Sequence, residues 1–191
     1  MENKKIDIPI INAKDIIQKN EPLTYKDIIY KNALDLSARE IDSFIENYTK
    51  YFEDLAGKPF GSSPKSLHGF IEKKNSVDYA VRMIRKILSR DNITHLCHVA
   101  LCNGEVKGFI TGRKYPDSKG WISHFYLLRE FTARDRLLIE SELFKNLCKD
   151  LKYYGMTEVY TEAENNPYLV NTLLQLGFEE KEEEELFKKT L

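Results

Sequence analysis

Several side chains in the C-terminal half of this 191-residue chain have the chemistry to move a proton. His124 lies midway along "GWISHFYLLREF" (120–131), a run with strand-like alternation. An imidazole of reference pKa about 6.5 can take and release a proton near neutrality. The same residue would serve equally well as a hydrogen-bonded sheet histidine. Glu130 alternates onto the face of His124 and Tyr126 and is the next proton acceptor. The phenols of Tyr160 and Tyr168 can donate a proton, and each also suits ordinary packing. His95, Cys97, His98 and Cys102 offer metal-type ligands within eight residues. On a strand, however, the first two face one way and the last two the other, so no single tetrahedral ion is expected there. His68, in "SLHGF", reads as exposed or as a contact for an acceptor.

These groups need elements to hold them. "DIIYKNALD" (27–35) is strand-forming, and Ser37 with Glu40 then has the spacing of a capping box. Ile41, Phe44, Ile45, Tyr48 and Phe52 follow at helical spacing, with Gly57 as the stop and "KPFGSSPKS" (58–66) as a loop. A second helix is expected in "SVDYAVRMIRKILSRD", with Val77, Ala80, Val81, Ile84 and Leu88 along one side. Asn103-Gly104 predicts a tight hairpin turn inside "HLCHVALCNGEVKGFITGRK". The strand bearing His124 comes next. A helix over about 135–154 follows, carrying Leu138, Leu143, Leu147 and Leu151 and closed by Gly155. "MTEVYTEAE" is another strand. In "NNPYLVNTLLQLGF" (165–178) Asn166 can cap a helix, Pro167 suits its first turn, and Gly177 suits its stop. Leu169, Val170, Leu173, Leu174 and Leu176 give that helix a broad apolar face, and "EEELFKKTL" forms a last strand. The order β-α-α-β-β-β-α-β-α-β predicts an α/β (α+β) fold, a mixed sheet covered on both faces. Residues 1–26 are expected to be an extension packed on a domain of residues 27–191.

Composition narrows the function classes. Lys+Arg 29 against Asp+Glu 30 leaves a net charge of −1, which calls for neither a nucleic-acid nor a membrane partner. No apolar run approaches the roughly 20 residues of a membrane span, and the start is a poor signal peptide. Cys97, Cys102 and Cys148 are too scattered for a disulfide framework, so the cytoplasm is the expected setting. Cys148 reads as a small core hydrophobe. The acidic run Glu179 to Glu185 could attract a basic acceptor or simply solvate a sheet edge.

This order of elements resembles the GNAT superfamily of N-acetyltransferases. In that family the helix after the fifth strand often reads Asn-x-x-Ala-x-x-x-Tyr-x-x-x-Gly-Phe. Here "NPYLVNTLLQLGF" puts Asn166 on the Asn and Gly177-Phe178 on the Gly-Phe. "IIYKNALDLSAREIDSFI" looks like the family's opening strand and helix. The resemblance, over roughly 27–191, implies a GNAT-like, mostly antiparallel central sheet with helices on both faces. It implies acyl transfer from acetyl-CoA to an amine of a small molecule or protein by direct attack, and a homodimer is a possible assembly. His124, or next Glu130, would be the base. The family's proton-donating Tyr falls on Leu173, so Tyr168 or Tyr160 would have to replace it. The pantetheine arm would run along Phe131 and Thr132, with Asn166 beside it. The family's diphosphate loop, Arg/Gln-x-x-Gly-x-Gly/Ala, falls on "DRLLIE" (135–140). Asp135 takes its first position, while Leu138 and Glu140 take the two small ones around Ile139. Arg134 and Arg136 flank the stretch and would offset the added negative charge. These departures leave two alternatives open: a thioester donor on an acyl-carrier protein, or a binding or regulatory module without catalysis.

Overall fold

Asn103 and Gly104 both take left-handed backbone angles, φ 52° and 79°. That pair is what a two-residue hairpin turn of matching twist requires. The turn joins β2 (His95–Cys102) to β3 (Glu105–Tyr115), and a second turn through Asp117 and Ser118 leads to β4 (Lys119–Leu127). A computed structural model describes residues 25–55, 76–91, 94–128, 130–163, 167–181 and 186–191. Gly57, the loop 58–66, His68, Asn166 and residues 1–24 lie outside the described residues, as do the side chains of Pro167 and Tyr168.

The remaining elements are β1 (Ile29–Asn32), α1 (Ala38–Leu55), α2 (Ser76–Leu88), α3 (Ala133–Tyr153), β5 (Glu158–Glu162), α4 (Pro167–Gln175), β6 (Glu179–Lys181) and β7 (Leu186–Thr190). One seven-stranded sheet runs β1-β2-β3-β4-β5-β7-β6. Every neighbouring pair is antiparallel except β4 and β5, which are parallel. The mixed α/β, mostly antiparallel sheet expected from the sequence is the sheet observed, with the three-residue edge strand β6 added. All of β6 is exposed and charged, so the acidic stretch begins as a solvated edge.

Helices α1 and α2 cover one face, burying Phe44, Tyr48, Phe52, Ala80, Ile84 and Ile87 against Val99, Leu101 and Phe109. Helix α3, with α4 beside it, covers the other through Ile139, Leu143, Leu147, Leu151 and Leu173. Close contact with α3 needs bare backbone below it. A Cβ on Gly112 or Gly120 would stand 3.0 Å from the methyls of Leu147 or Leu151.

The helix boundaries follow their caps. The Ser37 amide donates to Glu40 Oε2 at 2.8 Å, and Lys31 Nζ meets Glu40 Oε1 at 2.8 Å. Both α3 and α4 stop with two crossed bonds over a glycine: Met156 N to Leu151 O with Gly155 N to Lys152 O, and Phe178 N to Leu173 O with Gly177 N to Leu174 O.

Three expectations shift. Strand β4 ends at Leu127 rather than near 131, because Thr132 caps α3 and starts it at Ala133. The helix expected over about 135–154 thus begins two residues earlier, and residues 135–140, on which the resemblance put the diphosphate loop, are its first turns. On α2 the buried stripe runs Ser76, Ala80, Ile84, Ile87, leaving Val77 45% exposed. Ile45 and Leu174 are likewise exposed, so the buried stripes of α1 and α4 are narrower than the apolar ones.

Candidate functional site

The β3–β4 ladder pairs Thr111 with His124 but Gly112 with Ile122, so Ser123 is an extra residue on β4. A bulge re-aims the side chains beside it. Here Ser123 and His124 both line a cavity of about 310 Å³ under α2, whose other walls include Tyr79, Arg82, Lys86, His95 and Arg113. His124 is 6% exposed. Its ring meets Phe52 edge-on at 4.9 Å, with Tyr51 and Tyr48 at 6.0 and 6.4 Å. The 44/48/52 repeat of α1 thus supplies an aromatic wall that fixes the imidazole's orientation.

Two hydroxyls beside this ring are completely shielded. Tyr48 Oη and Thr111 Oγ1 interact weakly with one another, and neither has a well-formed hydrogen bond among the described residues. Burial, reinforced by Cys97, Tyr51 and Tyr79, holds the Tyr48 proton far more tightly than usual, and Thr111 relieves this only slightly. Unmet buried polarity is costly and clusters at sites that use it.

The parallel ladder between β4 and β5 has three pairs and stops at Trp121 with Tyr160, although β4 runs on to Leu127. The two strands part there. Trp121 and Tyr160 stack at the crotch, 6.2 Å apart and 12° from parallel. They also wall an apolar cleft of about 430 Å³ that reaches Tyr115 and Leu186. The Tyr160 hydroxyl donates to Glu158 Oε2 at 2.8 Å, and Glu158 also holds Lys188.

At the start of α3, Thr132 Oγ1 accepts from the Asp135 amide at 3.2 Å and its hydroxyl donates to Asp135 Oδ2 at 2.8 Å. Arg134 is exposed, Phe131 is buried in the core, Leu138 is half-buried and Ile139 fully buried. Arg136 Nη1 donates to Leu128 O at 2.9 Å and Nη2 approaches Glu140 Oε1 at 3.5 Å. Glu140 is 5% exposed and accepts from the Thr172 hydroxyl at 2.9 Å. Burial pushes its carboxyl above the usual range, and Thr172 and Arg136 oppose that. The charge that sequence reading set against phosphates is thus spent in tying α3 to α4.

The other candidates fall as follows. Glu130 lies in a turn beyond β4, off the strand face of His124, and pairs with Lys107 Nζ at 3.2 Å. Tyr168 stands in the first turn of α4, and Leu173 is fully buried. His98 Nε2 meets Asp150 Oδ2 at 2.9 Å on the α3 side, while His95 lines the cavity on the α2 side. Among the described residues no three His, Cys, Asp or Glu side chains converge as a metal site. Cys148 is half-buried, its thiol pushed up to about 11 by burial.

Sequence reading missed Ser123, Tyr79, Arg82, Lys86 and Arg113 as a set. On α2 the spacing of Tyr79, Arg82, Met83 and Lys86 does mark one helical face. Arg113 joins it only because β3 ends beneath that helix.

No family model matches the chain, and no curated protein matches it. Solved structures do. The PaiA N-acetyltransferase of Thermoplasma acidophilum, crystallised with coenzyme A, shares 17% identity over 86% of this chain and 99% of its own, with TM-score 0.57. A GNAT-family acetyltransferase of Staphylococcus aureus Mu50 shares 11% over 86% and 99%, with TM-score 0.59. A probable acetyltransferase of Staphylococcus epidermidis shares 14% over 85% and 98%, with TM-score 0.57. At these identities the likeness is one of fold: this chain has the fold of the GNAT acetyltransferases.

Proposed function

We propose that this chain is an N-acyltransferase that passes an acyl group from acetyl-CoA to an amine of a small molecule or protein. The observation that carries the reading is one juxtaposition. The bulge that aims His124 into a cavity adjoins the point where β4 parts from β5, on a fold shared with an acetyltransferase crystallised with coenzyme A.

The parting of β4 from β5 after Trp121 makes room for an amide-bearing arm to lie along β4 as a short added strand. Phe131 and Thr132 follow at the end of that track, and Asn166 would hold the arm from the side. The acyl thioester supplies an activated carbonyl and a good leaving group. His124 takes a proton from the acceptor's ammonium group, freeing the amine to attack the thioester carbonyl, and its ring is held by Phe52 and Tyr51. Tyr168 returns a proton to the departing sulfur. Tyr160 is the weaker choice, since its hydroxyl already donates to Glu158.

The diphosphate end of the donor fits less well. Helix α3 begins with Thr132 and Asp135 bonded to each other, and no glycine stands between Trp121 and Tyr154 to bare the backbone. Arg134 is left as the phosphate contact, because Arg136 is committed to Leu128 and Glu140. This favours, as a second reading, a carrier-protein thioester, which has a pantetheine arm and no adenosine diphosphate. A non-catalytic module is the third. No helix among the described residues is long and apolar enough to cross a membrane, and the three cysteines are unpaired, which fits a cytoplasmic setting.

Thermal melting with acetyl-CoA, coenzyme A and pantetheine tests the reading. A donor present at 100 times its Kd should add about 2.7 kcal/mol. Stabilisation by pantetheine alone supports the carrier-protein donor. No shift with any of the three at millimolar concentration, and no acyl transfer, overturns the enzyme reading.

A further inference from the structure

The cavity beneath α2 is chemically one-sided. Arg82, Lys86 and Arg113 stand exposed at its mouth, His124 is buried in its wall, and among the described residues none that lines it is acidic. In a chain of net charge −1, such a concentration of positive charge is not set by composition. Among the described residues, no carboxylate forms an ion pair with any of the three cations. Aromatic faces meet the two guanidiniums: Arg82 lies 5.9 Å from the centroid of Tyr79, and Arg113 lies 4.9 Å from that of Tyr115. A guanidinium laid on a ring is oriented while its in-plane N–H donors stay available, the state that suits capture of a carboxylate or phosphate.

The surrounding groups register the same field. Burial first, then the charges of Arg113 and Lys86, bring His95 down to about 4, so it stands neutral near physiological pH. Burial raises the Tyr79 hydroxyl, and Arg82 and Arg113 pull against that rise.

We infer that the acceptor is an anionic amine, a small molecule whose carboxylate or phosphate is held by Arg82, Lys86 and Arg113 while its amino group reaches His124. This deepens the acyltransferase reading and rests on it for the role of His124. The anion site rests on the cavity alone. Two ends of opposite charge on one small molecule would set its direction in the cavity before any contact with the donor. The three cations attract the anionic end to the mouth and repel the ammonium, so the amine is left to point inward. Tyr79 and Tyr115 form the apolar flanks that such a molecule passes. Protein acceptors would need an acidic residue or modification next to the amine.

The test has two arms. In the first, isotope-labelled protein without any acyl donor is titrated with inorganic phosphate and with acetate, and the side-chain N–H signals of Arg82 and Arg113 are followed by NMR. Saturable shifts at both, lost in the doubly substituted Arg82→Gln, Arg113→Gln protein with its melting temperature preserved, support the anion site. The absence of saturable shifts overturns it, whatever the catalytic outcome. In the second arm, acyl transfer is compared for phosphoethanolamine against ethanolamine and for β-alanine against β-alaninamide. The anionic member should lead by roughly tenfold or more, the worth of one charge-assisted contact, and lose that lead in the double variant. A lead with phosphate alone or with carboxylate alone identifies the acceptor's anion. Equal rates on charged and neutral amines sink the inference and leave the acyltransferase standing. Phosphate binding without transfer to any amine keeps the anion site and sinks the acyltransferase. Loss of coenzyme A binding in the double variant, with pantetheine binding unchanged, would show that the three cations serve the donor instead and overturn the acceptor assignment.

Discussion

The two faces of the sheet bury polar groups on different terms. Under α3 and α4, the buried polar side chains Glu140 and His98 have partners: Glu140 has Thr172 and Arg136, and His98 has Asp150. Under α1 and α2 the core centres on ring contacts among Tyr48, Phe52, Phe109 and His124, and Tyr48 and Thr111 keep buried hydroxyls with no well-formed hydrogen bond among the described residues. A fold that satisfies its polarity on one side has the means to satisfy it on the other. The exception sits beside His124, at the bulge and the cavity. The α3 face gives its buried polar groups partners, and the α1 face leaves two hydroxyls weakly paired where chemistry is proposed.

The sharpest way to break that contrast is His124→Ala. Loss of a general base should lower acyl transfer by about 10²–10⁴-fold and remove the acidic limb of its pH profile. Loss of stability with unchanged turnover per folded molecule would instead make His124 part of the aromatic packing, and the two faces would be alike.

Next comes one substitution made on both faces. Thr172→Val leaves Glu140 without its hydroxyl donor and should cost about 1–3 kcal/mol in a melt. Thr111→Val gives up only a weak contact with the Tyr48 hydroxyl and should leave stability unchanged or raise it by up to about 1 kcal/mol. Equal losses would mean that the hydroxyl of Thr111 is satisfied after all.

Two glutamates sharpen the contrast through pH. Glu40, held by Lys31 first and then by the Ser37 amide, has its carboxyl lowered from 4.5 to about 2. Its contribution is complete above the unfolded value and is lost as pH falls toward 2. Glu140 is raised by burial, so its contribution is complete below the unfolded value and is lost as pH rises through the folded one. Melting temperature against pH should therefore move in opposite senses for the two Gln variants. Glu40→Gln should flatten the acid side and cost up to about 1 kcal/mol at neutral pH through the lost Lys31 ion pair, since a Gln carboxamide oxygen still accepts from the Ser37 amide. Glu140→Gln should gain relative to the parent above pH 4.5. Parallel curves would refute the assignment. The smallest effect expected is Glu130→Gln, an exposed partner of Lys107, with a change within about 1 kcal/mol and an unaltered pH profile of transfer.

What could be read from the sequence was local. The Ser37/Glu40 cap, the Asn103-Gly104 turn and the glycines at 155 and 177 each act within a few residues, and the elements they bound appear where they were expected. The face of α2 was not legible, because Val77, Val81, Ile84, Ile87 and Leu88 offer more than one apolar stripe. Only the packing under α1 selects the stripe that is buried. The role of Glu140 depends on Thr172, 32 residues later in sequence. Arg113 joins Arg82 and Lys86 only through topology, so on the page their charges resemble a solvated helix.

The parallel pairing of β4 with β5 also bears on how the chain acquires its shape. Strands β2, β3 and β4 are joined by two short turns and can zip as a meander from neighbouring segments. The β4–β5 ladder must wait until the whole connection from Leu128 to Thr157 has been laid down and α3 has docked. Contacts that close long loops form late and at greater entropic cost. The parting strands should thus be assembled last, so that substitutions along β5 would speed unfolding while leaving the folding rate nearly untouched.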